Sequence, residues 1–226
     1  MRTNTKPPMK FNLQSELTYE VYSPTTFIFN IHALRTNRQH ILSESLTVNP
    51  QISFQEFSYN AGSGRFLRLQ AMGNSRFTIS YTATVDSYYT LFDQLHEFQT
   101  VPVDKLDGEI IPFLFPSRYC QSDKLQNLAY KEFGSISTVY SKVLAITDWI
   151  YNNVQYVIGS TNSLTSALDT ITERVGVCRD FAHLGIALCR ALTIPARYLT
   201  CYAYTLQPAD FHACFEAYIG GNWIVF

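Results

Sequence analysis

No apolar run in this sequence approaches the roughly 20 residues that a membrane-spanning helix needs. The first ten residues carry charge and two prolines, and no apolar stretch stands behind them, so no secretory leader is expected. No C-x-x-C pair occurs. The five cysteines are scattered over positions 120, 178, 189, 201 and 214. An odd number at wide spacing argues against both a zinc knuckle and a disulfide framework. Charge of one sign is also missing. A formal net charge of −1 gives no pull toward nucleic acid or an anionic membrane. There is no calcium-loop pattern, so metal activation is not expected. No internal repeat or low-complexity segment stands out. These absences predict a cytoplasmic chain that needs no cofactor and binds neither nucleic acid nor membrane.

What is present is size and aromatic content. The 226 residues suffice for one large domain or two small ones with a real core. Aromatic residues make up 15%, with 15 Tyr and 16 Phe, which favours strands. Residues 1–10 read as loosely held. After them, apolar-alternating runs at 16–22, 26–34, 41–48, 51–59, 66–72 and 76–85 are separated by turn residues such as Ser23-Pro24, Asn49-Pro50 and Gly73-Asn74-Ser75. That rhythm predicts an N-terminal antiparallel β-sandwich over residues 1–107. No titratable cluster is visible in it. His32, His40 and His96 carry no evident site.

Residues 108–123 form a junction. Pro112 and Pro116 exclude a regular helix, and the apolar stretch 110–115 predicts a segment that packs down. The period then becomes helical. Ser122 or Asp123 is the expected cap for a helix over 124–133, with Gly134 as its stop. Val139, Val143, Ile146 and Ile150 make a helical stripe within 137–151. A short helix at 166–171 is followed by a longer one at 177–192, which ends at Thr193-Ile194-Pro195. Strands follow at 196–204 and 211–219. A Gly220-Gly221 turn leads into a return strand at 223–226. Helices first and consecutive antiparallel strands after is an α+β core, spanning 124–226.

The chemistry centres on Cys178, which stands at the predicted helix start in Gly176-Val177-Cys178-Arg179-Asp180-Phe181-Ala182. The thiolate is the reactive form of cysteine. Unpaired backbone N–H groups and the positive end of the helix dipole favour it there. The same N–H groups can face an acyl oxygen, so the Cys178 amide is one half of an oxyanion hole. Gly176 is expected to let substrate backbone approach. His212, in Phe211-His212-Ala213-Cys214, is the candidate base on a strand. It shares a face with Cys214, Glu216 and Tyr218. A two-residue turn at Gly220-Gly221 would set the position after Phe226 opposite Cys214. A carboxylate there would be a diagonal neighbour of His212, roughly 7–8 Å away. Asp180 lies about 200° around the helix from Cys178. Glu216 lies roughly 13 Å along the strand from His212. Neither can orient the imidazole.

The blocks Ser166-Ala167-Leu168, Gly176 to Ala182, Leu192-Thr193-Ile194-Pro195-Ala196-Arg197-Tyr198, and Asp210-Phe211-His212-Ala213 followed by Gly220-Gly221-Asn222-Trp223 occur in one order. Together they resemble the transglutaminase-like superfamily of thiol enzymes. The region before them is similar to the β domain of bacterial members, with Pro116-Ser117-Arg118-Tyr119-Cys120 at the junction. The resemblance implies Cys178 as nucleophile, His212 as base, and an Asp just after the return strand as third member. A chain that stops inside a core strand leaves an edge unpaired, so the sequence is expected to continue.

The implied activity is thiol acyl transfer on peptide or amide bonds, and hydrolysis as a cysteine protease or amidase is the primary expectation. A protein-crosslinking transglutaminase, or an inactive binding or scaffold member, are the alternatives. A protein or peptide is the expected partner. Cys189, Cys120 and Cys201 read as packing. Cys214 reads as filler that could line the site, and His183 as structural or exposed. A metal held by Cys178, His212 and Cys214 lacks the short-spaced pair that such sites use.

Overall fold

The computed structural model describes residues 3–5, 7–59, 62–92 and 98–226. Met1, Arg2, Lys6, the Asn60-Ala61 part of one turn, and His96 lie outside the described residues. The chain divides into two compact units, Met1–Asp93 and Gln94–Phe226.

The first unit is the expected sandwich. Strands β1 (Thr3–Thr5), β2 (Met9–Val21), β3 (Thr25–Phe29), β4 (Gln39–Asn49), β5 (Phe54–Tyr59), β6 (Gly64–Ala71), β7 (Ser75–Ser87) and β8 (Thr90–Phe92) follow in order. They form two three-stranded antiparallel sheets, β2-β7-β4 and β3-β6-β5, and a β1-β8 pair. Thr3–Thr5 and Met9 are therefore strand residues, where a loosely held start was expected. Their ladder partners lie some eighty residues away, beyond the reach of a local reading.

Alternation sets the two faces. Phe77, Ile79, Tyr81, Ala83 and Val85 of β7, and Leu67, Leu69 and Ala71 of β6, point inward and are buried. Tyr19 and Phe77 from one sheet meet Phe27 and Phe29 from the other, with Tyr19–Phe27 and Phe27–Phe77 centroids 5.0 and 5.1 Å apart. Contacts of this kind add to the area they bury.

A charged cluster centred on the buried Arg65 lies in the same unit, where none was expected. Arg65 is 5% exposed and donates to both carboxylate oxygens of Glu44, at 2.9 and 2.6 Å. Glu44 also accepts from Arg35 at 2.8 Å and from the Tyr81 hydroxyl at 3.0 Å. Burial alone would raise the Glu44 pKa, but the hydrogen bonds from Arg65, Arg35 and Tyr81 outweigh it and hold it at about 2.

In the second unit the Pro-rich segment keeps to short 3-10 turns at Val103–Lys105 and Ile111–Leu114. Helix α1 (Ser122–Phe133) buries Leu125, Ala129 and Phe133 at helical spacing, and it ends at Gly134. It takes in Ser122 and Asp123, the two residues expected to cap it. Helix α2 (Val139–Asn153) is capped by Thr138, which accepts from the Ser141 N–H, and buries the stripe Val139, Val143, Ile146 and Ile150. Then come β9 (Gln155–Tyr156), α3 (Ala167–Glu173), β10 (Val175–Gly176), α4 (Cys178–Ala191), β11 (Ala196–Tyr202), β12 (Phe211–Ile219) and β13 (Asn222–Val225).

Helix α4 is the centre of this unit. Ten of its fourteen residues are buried, so it is enclosed on nearly every side. Gly185 is small because Phe215 of β12 packs there; a Cβ would lie 2.5 Å from its ring. The antiparallel order β11-β12-β13 forms the adjoining sheet. Gly220 and Gly221 make the turn with φ of +56° and +82°, values that favour glycine. Ile219 pairs with Asn222 and Glu216 with Val225. The ladder runs on to Phe226, whose N–H donates to the Phe215 carbonyl at 2.9 Å.

The compact units divide at Asp93. The junction segment is tied to the second unit. Arg190 of α4 donates to the carbonyls of Phe115 at 2.8 Å and of Ala196 at 2.8 and 3.0 Å. Phe113 meets Trp223 edge-on at 5.2 Å, and the Ala167 N–H donates to the Tyr119 carbonyl at 2.8 Å.

Candidate active site

Cys178 is the first residue of α4 and is partly exposed. An N–H at this position has no partner within its own helix. The first turn is anchored one step further in, by Asp180. Asp180 is fully buried. Its carboxylate accepts from the Val177 N–H at 3.0 Å, from Thr161 Oγ1 at 2.6 Å and from the Arg179 guanidinium at 2.8 and 3.2 Å. Asp180 is thereby committed to shaping the helix start.

Gly176 has an internal role in place of the expected one. It is buried, and a Cβ there would lie 2.9 Å from Asp180 Cβ. The glycine makes room for the anchor, not for substrate.

A residue that sequence reasoning missed stands in front of the thiol. Strand β9 pairs in parallel with β10, setting Tyr156 level with Gly176. The Gln155 N–H donates to the Arg174 carbonyl at 2.8 Å and the Val157 N–H to the Gly176 carbonyl at 3.0 Å. The Tyr156 ring meets Phe181 edge-on at 5.8 Å. Its hydroxyl lies beside both the backbone N–H and the thiol of Cys178, and Asp210 is within electrostatic reach. Partial burial, and after it the Cys178 sulfur, raise the pKa of this phenol.

His212 sits near the start of β12, half-exposed, directly opposite Cys201 of β11. Cys214 lies two residues on, within electrostatic reach of Cys178. Among the described residues no hydrogen bond joins Cys178 to His212. Glu216 is held by Arg197 at 2.6 Å, which keeps it from His212. The β12–β13 register pairs Glu216 with Val225 and carries on to Phe215 and Phe226, as the turn arithmetic expects.

The other candidates resolve in different ways. Cys189 and Cys120 are buried. Cys201 is not the buried packing residue expected. It is partly exposed, with its thiol beside that of Cys214. The Cys214 neighbour lowers the Cys201 pKa to about 7, and the Cys214 pKa rises in turn. His183 is buried, stacked on Tyr119 at 5.0 Å and 7° and tilted on Tyr198 at 5.0 Å. Among the described residues no group of three or more His, Cys, Asp or Glu side chains has the geometry to hold a metal ion. No helix among them is long and apolar enough to cross a membrane.

Comparison with known proteins agrees with this geometry. Residues 9–109 match the bacterial transglutaminase N-terminal domain, and residues 126–226 match the transglutaminase-like superfamily. The chain belongs to the transglutaminase-like superfamily. Among solved structures of this type, it is 71% identical to a candidate cysteine protease from Cytophaga hutchinsonii, with a TM-score of 0.96 over 100% of this chain and 78% of that one. The periplasmic domain of TgpA from Pseudomonas aeruginosa aligns over 97% of this chain and 71% of its own, at 14% identity and a TM-score of 0.48. An uncharacterized protein of Mycobacterium leprae is 34% identical over 89 residues, which is 36% of this chain and 32% of that protein. The chain thus spans about a third of the length of that curated relative.

Proposed function

We propose that this protein is a thiol acyl-transfer enzyme that hydrolyses peptide or amide bonds as a cysteine protease or amidase. The observation that carries the proposal is the placement of Cys178. It is a partly exposed thiol at the first residue of a buried helix.

In this reading His212 takes the thiol proton and the Cys178 sulfur attacks the carboxamide carbon. The carbonyl π pair moves to oxygen, which the Cys178 N–H receives. The pair returns as the amine leaves with the proton from His212. A thioester remains on Cys178. Water, losing a proton to His212, attacks it and releases the acid. A carboxylate at the position after Phe226 would hold the imidazole ring. Hydrolysis is preferred over amine transfer because the 71% identical neighbour is described as a candidate protease.

Iodoacetamide labelling at neutral pH tests the pair. Cys178 should react ahead of the other four thiols, and His212→Ala should slow it by about 100-fold. Slow labelling that His212→Ala leaves unchanged would overturn the assignment.

A further inference from the structure

The sheet that carries His212 also carries two thiols that the proposed reaction does not use. In the β11–β12 ladder Cys201 stands opposite His212, and Leu199 stands opposite Cys214. Opposite residues share a face, as do residues two apart on one strand. These four side chains therefore make one step of the ladder on one face, with the cysteines across its diagonal. Ala213 and Phe215 turn to the other face and are buried, Phe215 against Gly185 of α4. All four corners of the step are partly exposed, so a small solute can reach both sulfurs.

This pair differs from the buried thiols. Cys120 and Cys189 lie singly in the core, and burial raises the pKa of each. Cys201 and Cys214 meet thiol to thiol, and the Cys214 S–H donates to the Cys201 sulfur. That hydrogen bond favours the Cys201 thiolate and brings its pKa to about 7. A thiolate is the form that attacks an oxidant. An adjacent thiol is what resolves the oxidised sulfur into a disulfide.

We propose that Cys201 and Cys214 are a redox-active dithiol that a peroxide closes to a disulfide, and that this bond slows Cys178 by displacing His212. The effect on Cys178 rests on the proposed nucleophile and base. The Cys201 sulfur attacks one peroxide oxygen and the O–O bond breaks. Hydroxide leaves and takes up the proton that Cys201 gave to solvent. The Cys214 sulfur then attacks the Cys201 sulfenic acid. The S–S bond forms, the S–O bond breaks, and the departing hydroxide takes the Cys214 proton as a second water. Two electrons pass from the sulfurs to the peroxide.

The register shows why the bond reaches His212. Diagonal neighbours on a sheet are roughly 7–8 Å apart. Bridged cysteines hold their Cα atoms about 5.5–6 Å apart. Closing the bond therefore draws β11 and β12 together across this step by about 1–2 Å. His212 is one corner of the step, directly opposite Cys201, and moves with it. A displacement of about 1 Å is enough to slow a positioned reaction strongly.

Peptide mapping decides the bond, and Cys178 labelling decides its effect. No Lys or Arg follows Arg197, so trypsin leaves both cysteines on residues 198–226. The full chain, reduced and then treated with stoichiometric hydrogen peroxide, should yield this peptide unalkylated and lighter by two hydrogen atoms. Iodoacetamide labelling of Cys178 should be about 10-fold slower than in the reduced protein and should recover with dithiothreitol. Cys201→Ser and Cys201→Ala should show neither change under the same treatment. A peptide that still takes two alkyl groups overturns the disulfide. So does a link from Cys214 to the peptide that carries Cys178. Equal slowing in the Cys201 variants overturns the control through His212, because the peroxide would then act at Cys178 itself. A disulfide that leaves Cys178 labelling unchanged overturns that control as well. If Cys178 of the reduced protein does not label ahead of the other thiols, the nucleophile reading fails instead, and the peptide map still decides the bond.

Discussion

His183 offers a stability prediction that can be worked from geometry. It lies on α4, 8% exposed, with Tyr119 stacked on one face and Tyr198 tilted against the ring. Its Nδ1 is buried without a partner. Burial first, and the nearby Arg179 charge second, lower its pKa to about 4, with Asp180 opposing them weakly. The ordinary value of 6.5 holds in the unfolded chain. A base with a depressed folded pKa takes up its proton in the unfolded state first. Its contribution is therefore complete above pH 6.5 and is lost as the pH falls from there to about 4. The whole span is worth about 3 kcal/mol, and about 2.5 kcal/mol of it falls between roughly pH 7.5 and 4.5. Both tryptophans, Trp149 and Trp223, lie in the second unit, so fluorescence-monitored urea unfolding reports that unit alone. Wild-type stability should fall by about 2.5 kcal/mol across the interval. His183→Phe keeps a flat ring between the tyrosines and should flatten the profile. A variant that loses stability with pH as steeply as wild type would refute the assignment.

Two further perturbations test other parts of the structure. Glu44→Gln removes a carboxylate whose contribution is present above pH 4.5 and lost as the pH falls toward 2. Discounted for solvent screening, it should destabilise the first unit by about 1 kcal/mol near neutrality and remove that acid limb, followed by circular dichroism because this unit has no tryptophan. Gly176→Ala brings a methyl to 2.9 Å from Asp180 Cβ. It should cost about 1–3 kcal/mol and slow iodoacetamide labelling of Cys178 as the helix start shifts; full stability and reactivity would show that the anchor has slack.

The helices and strands of the second unit were legible because each carried its own period. Val139, Val143, Ile146 and Ile150 spell a helix face, and Phe211–Ile219 alternates along its whole length. The two glycines at 220 and 221 are enough to set the hairpin register, which pairs Ile219 with Asn222. The apolar stretch 110–115 predicts a junction that packs down, but not its partner: the Phe115 carbonyl is taken by Arg190, which stands 75 residues away. The charge cluster of the first unit did leave a trace. Arg65 is in phase with Leu67, Leu69 and Ala71, so alternation alone turns it inward. Its partner Glu44 sits in a strand whose residues are mostly exposed, and nothing local ties the two.

The site divides along the same line. Cys178 and His212 stood out because a helix start and a strand start each carry a sequence signature. Tyr156 carries none. Its strand has two residues, too few for any period, and it pairs in parallel with a partner some twenty positions on. What brings Tyr156 to the thiol is Asp180. That carboxylate fixes the Val177 N–H, and Gly176 is left bare so that Asp180 can sit against it. With Gly176 fixed, its carbonyl receives the Val157 N–H, and Tyr156 is set level with it. The acidic residue two places after Cys178 thus acts through backbone, by holding in one geometry the helix start, the glycine and the strand that presents the phenol.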